Sequence, residues 1–477
     1  MVFPIAGGTQ STGDLITNSL RFNNDDDPYL LRTPSSTGDQ RTFTFSVWLK
    51  QAFGQPSGNH VIFSAGSDGD NYDQLRIKSN GFLQFESEVS NSVKSDVYTT
   101  HLFRDPTAWY HLVLRVDTTQ STAADRVRFY KDGTLLTTAG GSQPDQNQQL
   151  NTNTQIGHAI GTLWRGSDNG NEWDGYMANA HFADGQSYAP TQFGETNSNG
   201  VWVPKQFAGS FGTNGFKLEF KETGTSANAS GIGADTGSNG HHHSVNGLAA
   251  VDVTTDTPQN NFATLNPLDR HANVVLSEGN LQTVNVSGGG HYPIFTNMAF
   301  RNGKWYGEFK RADGNNWKAA IMSIDHDGGS LNVDSTVGNS TSAVNRAGYG
   351  LNVDDGNKTH YDGSSFLNQS YGSEIGSILM WAFDADNGKI WWGEDGTFFA
   401  SGDPAAGTNA AFTGIDTNTN WTLCFHTYNG HNLIANFGNA PFSISSGHSD
   451  DNGHGNFEFQ PPSGFLSICT KNLAETG

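Results

Sequence analysis

Lys389-Ile-Trp-Trp-Gly-Glu-Asp-Gly-Thr-Phe-Phe-Ala-Ser-Gly-Asp-Pro404 is the stretch on which the fold turns. It follows Asp386-Asn387-Gly388, and Asn-Gly between two apolar runs is the strongest short-range hairpin signal. The run before the turn, Ile378-Leu-Met-Trp-Ala-Phe-Asp384, is almost wholly apolar. Both arms therefore read as strands of one antiparallel sheet. Trp391 and Trp392 are neighbours on a strand and face opposite ways. Core packing is expected for at least one of them, and the same holds for Trp48 and its neighbours.

Working outward, Gly303-Lys-Trp-Tyr-Gly-Glu308 lies upstream and Leu433-Ile-Ala-Asn-Phe-Gly-Asn-Ala-Pro-Phe442 downstream. Together with the hairpin these segments resemble the SPRY family of antiparallel β-sandwiches. Asn266-Pro-Leu-Asp-Arg270 and Leu276-Ser-Glu-Gly-Asn-Leu281 lead in as they do in phage SPRY modules. The resemblance implies a module that binds and does no chemistry.

The first two hundred residues carry a second set of short strands. In Arg41-Thr-Phe-Thr-Phe-Ser-Val-Trp-Leu-Lys50, the residues Phe43, Phe45, Val47 and Leu49 share one face of a half-buried strand. Val61–Ser64, Gln74–Lys78, Phe82–Phe85, Trp109–Val116 and Val127–Gly133 follow at short intervals with turn residues between them. That spacing indicates a sandwich or jelly roll. Phe43-Thr-Phe-Ser-Val-Trp48, Trp109-Tyr-His-Leu-Val-Leu114 and Phe129-Tyr-Lys-Asp-Gly133 resemble the laminin-G/concanavalin-like lectin family. Trp173-Asp-Gly-Tyr-Met-Ala-Asn-Ala-His-Phe-Ala-Asp-Gly185 is similar to the closing strand of such modules in tailed-phage virion proteins. Phe193-Gly-Glu195, Val201–Lys205 and Gly215–Phe220 extend that likeness.

The expected fold class is all-β, with two antiparallel, jelly-roll-like β-sandwiches in tandem. The expected domains are 1–220, a laminin-G/concanavalin-like jelly roll, and 262–477, a SPRY-like sandwich. Residues 221–261, rich in Gly, Ser and Asn, read as a linker between them.

Composition narrows the function. The chain has 477 residues, 26 basic and 47 acidic, for a net charge of −21. Nucleic acid and anionic membranes are unsuitable partners, because both demand a basic footprint. Solubility alone also accounts for the charge. Charged residues make up 15% of the chain, against roughly 25% in ordinary domains. The N-terminal Met1-Val-Phe-Pro-Ile-Ala-Gly-Gly8 reads as no signal peptide, and no apolar run suits a bilayer span. Cys424 and Cys469 sit in apolar runs and are expected as free, buried thiols.

Catalytic patterns are incomplete. The glucanase relatives of the concanavalin-like fold use Glu-x-Asp-x-Glu on one strand. Glu86-Ser-Glu88 and Glu172-Trp-Asp174 approach that pattern without completing it, and solvated acids are the simpler reading. No Gly-x-Ser-x-Gly elbow, His-Glu-x-x-His helix or Walker loop is present. Calcium is the metal this sequence would suit. Ser67-Asp-Gly-Asp-Asn-Tyr-Asp73 clusters oxygen ligands, with Asp68, Asp70 and Asp73 the candidates, and Asp25-Asp-Asp27 is a second acidic loop. Solvated turns compete with both readings. His241-His-His243 points to alternate sides of an extended chain and makes a poor zinc set. Tyr72, Trp164 and Tyr371 are the candidate ligand-binding aromatics, because sandwiches recognise ligands through their loops.

The phage resemblance implies a non-enzymatic virion surface protein, made in the host cytoplasm: a tail-fibre or appendage adhesin for host surface glycan. A structural capsid-decoration or head-fibre protein is the alternative, and a glycan-degrading enzyme comes third. Expected partners are other virion proteins, host carbohydrate and further copies of the chain in a trimer. No coiled-coil heptads encode that trimer.

Overall fold

The computed structural model describes residues 16–54, 56–284, 291–314, 317–324, 348–361, 366–428 and 430–477, without the side chains of residues 168, 291, 361 and 366. The chain is nearly all β, and its described residues divide into two compact units, 16–259 and 260–477. Among the described residues no helix is long and apolar enough to cross a membrane.

The first unit is built on two eight-stranded antiparallel sheets. One has Thr42–Gln51 at its centre, between Tyr110–Asp117 and Gly175–Asp184. The other runs Thr138–Ser142, Val93–Leu102, Phe82–Glu88, Asn71–Ile77, His60–Asp68, Gly157–Ile160, Tyr29–Arg32, Ser244–Asn246. The alternation in Thr42–Gln51 decides which face it buries. Phe43, Phe45, Val47 and Leu49 enter the core with Phe63, Leu75, Phe85 and Val97 of the opposite sheet, and Phe45 stacks on Phe63 at 5.0 Å. Trp48 faces the other way and packs with Ile16 and Ala178. Beside it the His111 ring lies 4.9 Å from Trp48 and 6.0 Å from Trp202. Trp202 Nε1 donates to His111 Nδ1 at 3.1 Å. Burial pushes the pKa of this imidazole down to about 3.

Residues 221–261 are not a free linker. Ser244–Asn246 pairs with Tyr29–Leu31 at the edge of one sheet, and Val253–Thr254 pairs with Ser19–Leu20 at the edge of the other. Ile232 is fully buried in the core. Asp256 is buried too, with Lys50 Nζ at 2.7 Å and Trp109 Nε1 donating at 2.9 Å. The glycines here serve close approach rather than freedom. A Cβ on Gly231 would lie 2.0 Å from the Ser226 carbonyl oxygen, and one on Gly233 would lie 2.6 Å from that of His243. Composition alone cannot separate these two uses of glycine.

The second unit also holds two large sheets. The first runs Leu265–Arg270, His291–Thr296, Trp421–Tyr428, Lys318–Ser323, Gly348–Asn352, Asn357–Tyr361, Phe366–Ser370. The second centres on Lys304–Arg311, between Ile378–Asp384 and Leu433–Asn436. The expected hairpin is present: Asp384 pairs with Lys389, and Gly388 closes the turn at φ +58°. Both tryptophans are fully buried. Trp392 joins the main core, while Trp391 packs with Tyr306, Phe457 and Phe465 on the opposite face. That second face is closed by the chain around Phe457, pinned to the buried carboxylate of Glu308. Tyr306 Oη, Asn436 Nδ2 and the backbone N–H groups of Glu458 and Phe459 all donate to it, at 2.8–3.0 Å. Burial raises the Glu308 pKa against the opposing pull of these four donors. Cys424 and Cys469 are both free and buried.

Candidate ligand-binding site

Strand alternation gives the Tyr29–Arg32 sheet of the first unit two unlike faces. Leu75, Ile77, Leu83, Phe85 and Val97 point into the core. The intervening residues point away from it: Tyr72, Gln74 and Arg76 on one strand, Gln84, Glu86 and Glu88 on the next, Asp96 and Tyr98 on the third. Register sets Gln74 opposite Glu86, Arg76 opposite Gln84, and Glu86 opposite Asp96.

These side chains form one hydrogen-bonded ladder. Arg76 Nη2 lies 2.6 Å from Glu86 Oε2, and Arg76 Nε donates to Gln84 Oε1 at 2.8 Å. Gln74 Nε2 donates to Glu86 Oε2 at 3.3 Å, and Tyr72 Oη donates to Glu86 Oε1 at 3.1 Å. Gln84 Nε2 donates onward to Asp96. Burial, followed by the charges of Glu86 and Glu88, raises the pKa of the Tyr72 phenol. Tyr98 flanks the ladder, with Phe82 stacked at 6.1 Å and Lys78 Nζ 5.1 Å from its ring centre.

Trp164 reaches the same face on a short hairpin, Leu163–Arg165 paired with Asp168–Gly170. The hairpin is moored to the sheet: the Trp164 N–H donates to Ser64 Oγ at 2.9 Å. Two glycines make room for it. A Cβ on Gly66 would sit 2.2 Å from the Trp164 carbonyl oxygen, and one on Gly157 would sit 2.3 Å from Trp164 Nε1. Gly66 is the register partner of Tyr72 and of Gly157. Trp164 and Tyr72 therefore flank one narrow strip of sheet, and the Tyr29 ring lies 5.8 Å from the indole.

The remaining candidates lie elsewhere. Asp68 and Asp70 are exposed at the tip of the hairpin between His60–Asp68 and Asn71–Ile77. Asp68 is held by its own turn, through Asn71 Nδ2, the Asp70 N–H and Ser67 Oγ, each at 2.9 Å, and these donors lower its pKa. The structure does not bring Asp73 to them. Alternation turns it into the core, where Ser87 Oγ, Asn151 Nδ2, Thr152 Oγ1 and the Thr152 N–H donate to it at 2.6–3.0 Å. Its pKa is raised by burial. Among the described residues no three acidic, histidine or cysteine side chains converge as a metal site. The three consecutive histidines diverge as well: His243 is buried against Phe216, while His242 Nδ1 accepts from the Asp235 N–H. Tyr371 belongs to the second unit. It is half-buried, with Lys358 Nζ 5.7 Å from its ring centre and Phe399 edge-on at 6.1 Å.

Sequence reasoning missed Gln74, Arg76, Gln84 and Asp96, and it weighed Glu86 only as half of an incomplete carboxylate pair, with a solvated acid as the simpler reading. The signal was present in three consecutive strands with polar residues at every second position: 72–76, 84–88 and 94–98.

Residues 24–186 match the family model described as the Concanavalin A-like lectin/glucanases superfamily. Among solved structures, the chain is similar to the TRIM65 PSpry domain, at 16% identity over 36% of this chain and 89% of that one, with a TM-score of 0.27. It is similar to a native heptameric SAP-like pentraxin from Limulus polyphemus, at 17% identity over 37% and 79%, with a TM-score of 0.29. The SPRY domain of human HERC1 matches at 14% identity over 36% and 96%, with a TM-score of 0.27. No curated protein matches.

Proposed function

We propose that this protein is a non-enzymatic glycan-binding protein, and that the polar sheet face of its first unit holds the sugar. One observation carries the reading. Two aromatic rings, Tyr72 and Trp164, border a ladder of amide, guanidinium and carboxylate groups on a sheet face turned away from the core. Aromatic faces stack on the apolar side of a pyranose, and the ladder supplies paired donors and acceptors for its hydroxyls. The match of residues 24–186 to a lectin and glucanase superfamily supports the same chemistry. Against catalysis stands the state of Glu86. Both of its oxygens already accept hydrogen bonds from protein donors, and Gln84 occupies the same strand face two residues before it. An inverting or retaining pair needs one carboxyl ready to give a proton and one ready to attack or take one.

The resemblance of Trp173–Gly185 to tailed-phage modules supports a setting for this activity. The protein would be displayed in several copies on a virion, as a tail-fibre or appendage adhesin for host surface glycan. Multiple copies make weak single-site binding useful by raising effective concentration. The test is a glycan array probed with the full chain, followed by titration of the best ligand. Trp164→Ala and Tyr72→Ala should each weaken binding about tenfold or more, the scale of one lost aromatic contact. Binding indifferent to both changes would remove this face from the reading. Release of reducing sugar from host polysaccharide would replace the adhesin with an enzyme.

A further inference from the structure

The polar sheet face of the first unit is longer than one sugar. Tyr72 and Arg76 lie on one strand, about 13 Å apart along the sheet at roughly 3.3 Å per residue. Arg76 pairs with Gln84, and Gln84 with Tyr98. Those two steps cross about 10 Å of sheet at ~4.8 Å per strand. Tyr72 and Tyr98 therefore stand at opposite corners of the face, roughly 16 Å from each other. A pyranose matches the size of the aromatic ring it stacks on, so one sugar cannot touch both corners.

Both corners are built in the same way. Each tyrosine has a glycine as its register partner, Gly66 for Tyr72 and Gly140 for Tyr98. A Cβ on Gly66 would lie 3.1 Å from Tyr72 Cβ, and one on Gly140 would lie 2.8 Å from Tyr98 Oη. The Tyr98 ring thus reaches across the edge strand Thr138–Ser142, whose residues are all exposed. Trp164 extends the first corner, and Phe82, stacked on Tyr98, extends the second. Lys78 lies over the Tyr98 ring on a flexible stem, and its ammonium has three donors to turn toward a hydroxyl.

The ladder occupies the middle of the diagonal. Glu86 pairs with Gln74 on one side and Asp96 on the other, halfway between the two tyrosines. Groups there stay open. Among the described residues Arg76 Nη1 makes no hydrogen bond, and the Asp96 carboxylate accepts only from Gln84. A ligand confined to the Tyr72 corner would leave both to water.

We propose that this face reads an extended, linear oligosaccharide, laid diagonally from Trp164 and Tyr72 to Tyr98, rather than one terminal sugar. The proposal rests on the glycan-binding reading and adds a second aromatic platform to it. Rings at the two ends of the sugar chain stack on the two corners, and the rings between them exchange hydrogen bonds with the ladder. Once one end is bound, the other binds intramolecularly, so affinity grows with chain length until the face is spanned.

The experiment titrates the full chain by calorimetry with the disaccharide and the hexasaccharide of three extended backbones: β-1,4-glucose, β-1,4-mannose and β-1,4-N-acetylglucosamine. At least one hexasaccharide should bind about tenfold or more tighter than its disaccharide, after correction for the number of registers it offers, the scale of one added aromatic contact. Tyr98→Ala should remove that gain, and Tyr98→Phe, which keeps the ring, should retain it. Gly140→Ala displaces the Tyr98 ring from an exposed edge strand and should also reduce the gain, with the melting temperature unchanged. Equal binding of both lengths, still lost in Tyr72→Ala and Trp164→Ala, would overturn this proposal and keep the glycan-binding reading. A length preference that survives Tyr98→Ala and Gly140→Ala would overturn it as well. No binding in any of the three series would overturn it too, and the glycan array then decides the reading beneath it.

Discussion

Asp256→Ala is the sharpest test of how the first unit is closed. The carboxylate is fully buried and 2.7 Å from Lys50 Nζ, whose side chain is 1% exposed. It also accepts the Trp109 indole N–H at 2.9 Å. Removing it takes the carboxylate away from a buried ammonium, a change that costs about 3–5 kcal/mol in comparable buried pairs. For a unit of this size about 2–4 °C accompanies each kcal/mol, so melting of the first unit should fall by roughly 6–20 °C. A residue in a solvated linker would move stability by no more than about 0.5 kcal/mol. Calorimetry of the full chain reads the shift. Hydrogen exchange should show faster opening of Val253–Thr254 and of its partner strand Ser19–Phe22. The double change Lys50→Met with Asp256→Leu should recover most of the loss, because an apolar pair leaves no buried charge behind. An Asp256→Ala chain that melts within about 1 °C of wild type, with unchanged exchange in both strands, would refute the reasoning.

Three further outcomes follow from the packing. Gly157→Ala places a Cβ 2.3 Å from Trp164 Nε1, so it should displace the indole and weaken glycan binding while leaving the second unit unchanged in a binding titration and a thermal scan. Glu308→Ala removes the acceptor of four donors; at about 1 kcal/mol per orphaned donor, the second unit should lose roughly 3–5 kcal/mol in denaturant unfolding. Acid should unfold the first unit. His111, His181 and His243 are pushed down to about 3 and His158 to about 4 by burial, so all four are neutral when folded and take up protons on unfolding. Their contribution is complete above the unfolded pKa near 6.5 and is lost as pH falls toward the folded values, at about 1.4 kcal/mol per pH unit for each. Near-ultraviolet circular dichroism of the first unit unchanged at pH 4 would contradict this.

What the sequence made legible was whatever depends on period two. The parity of Phe43, Phe45, Val47 and Leu49 located the core face of their strand, and Asn387-Gly388 located the hairpin in the second unit. The same parity would have separated Asp73 from Asp68 and Asp70, had register been applied to the acidic cluster as it was to the apolar runs. Two properties were not legible. Glycine reads alike whether it frees the chain or lets two backbones touch, so residues 221–261 passed for a linker when they complete both sheets. A binding face assembled from three strands also leaves no contiguous motif. Glu86 gains its meaning from Tyr72, Gln74 and Arg76 on the neighbouring strand, a pairing that register creates and sequence distance hides.

The contrast between the two sheets of the first unit bears most directly on where a ligand would bind. The outward face around Trp48 and His111 is covered by the chain's own later segments. Trp202 lies against His111, and Phe193 and Phe207 pack on His181. His181 Nε2 is left there as a buried atom without a partner. A face so filled has no room for a sugar. The outward face of the opposite sheet is polar: Tyr72, Arg76, Glu86, Asp96 and Trp164 are partly exposed on it, while Gln74 and Gln84 are buried between them. Covering one face with the chain's own aromatics and furnishing the other with hydroxyl, amide and guanidinium groups leaves a single broad surface suited to a hydroxylated ligand. That asymmetry arises within the unit itself, so it should survive in a fragment spanning residues 16–259. Such a fragment, if it folds, should bind the same glycan as the full chain, with affinity changed only by the loss of neighbouring copies.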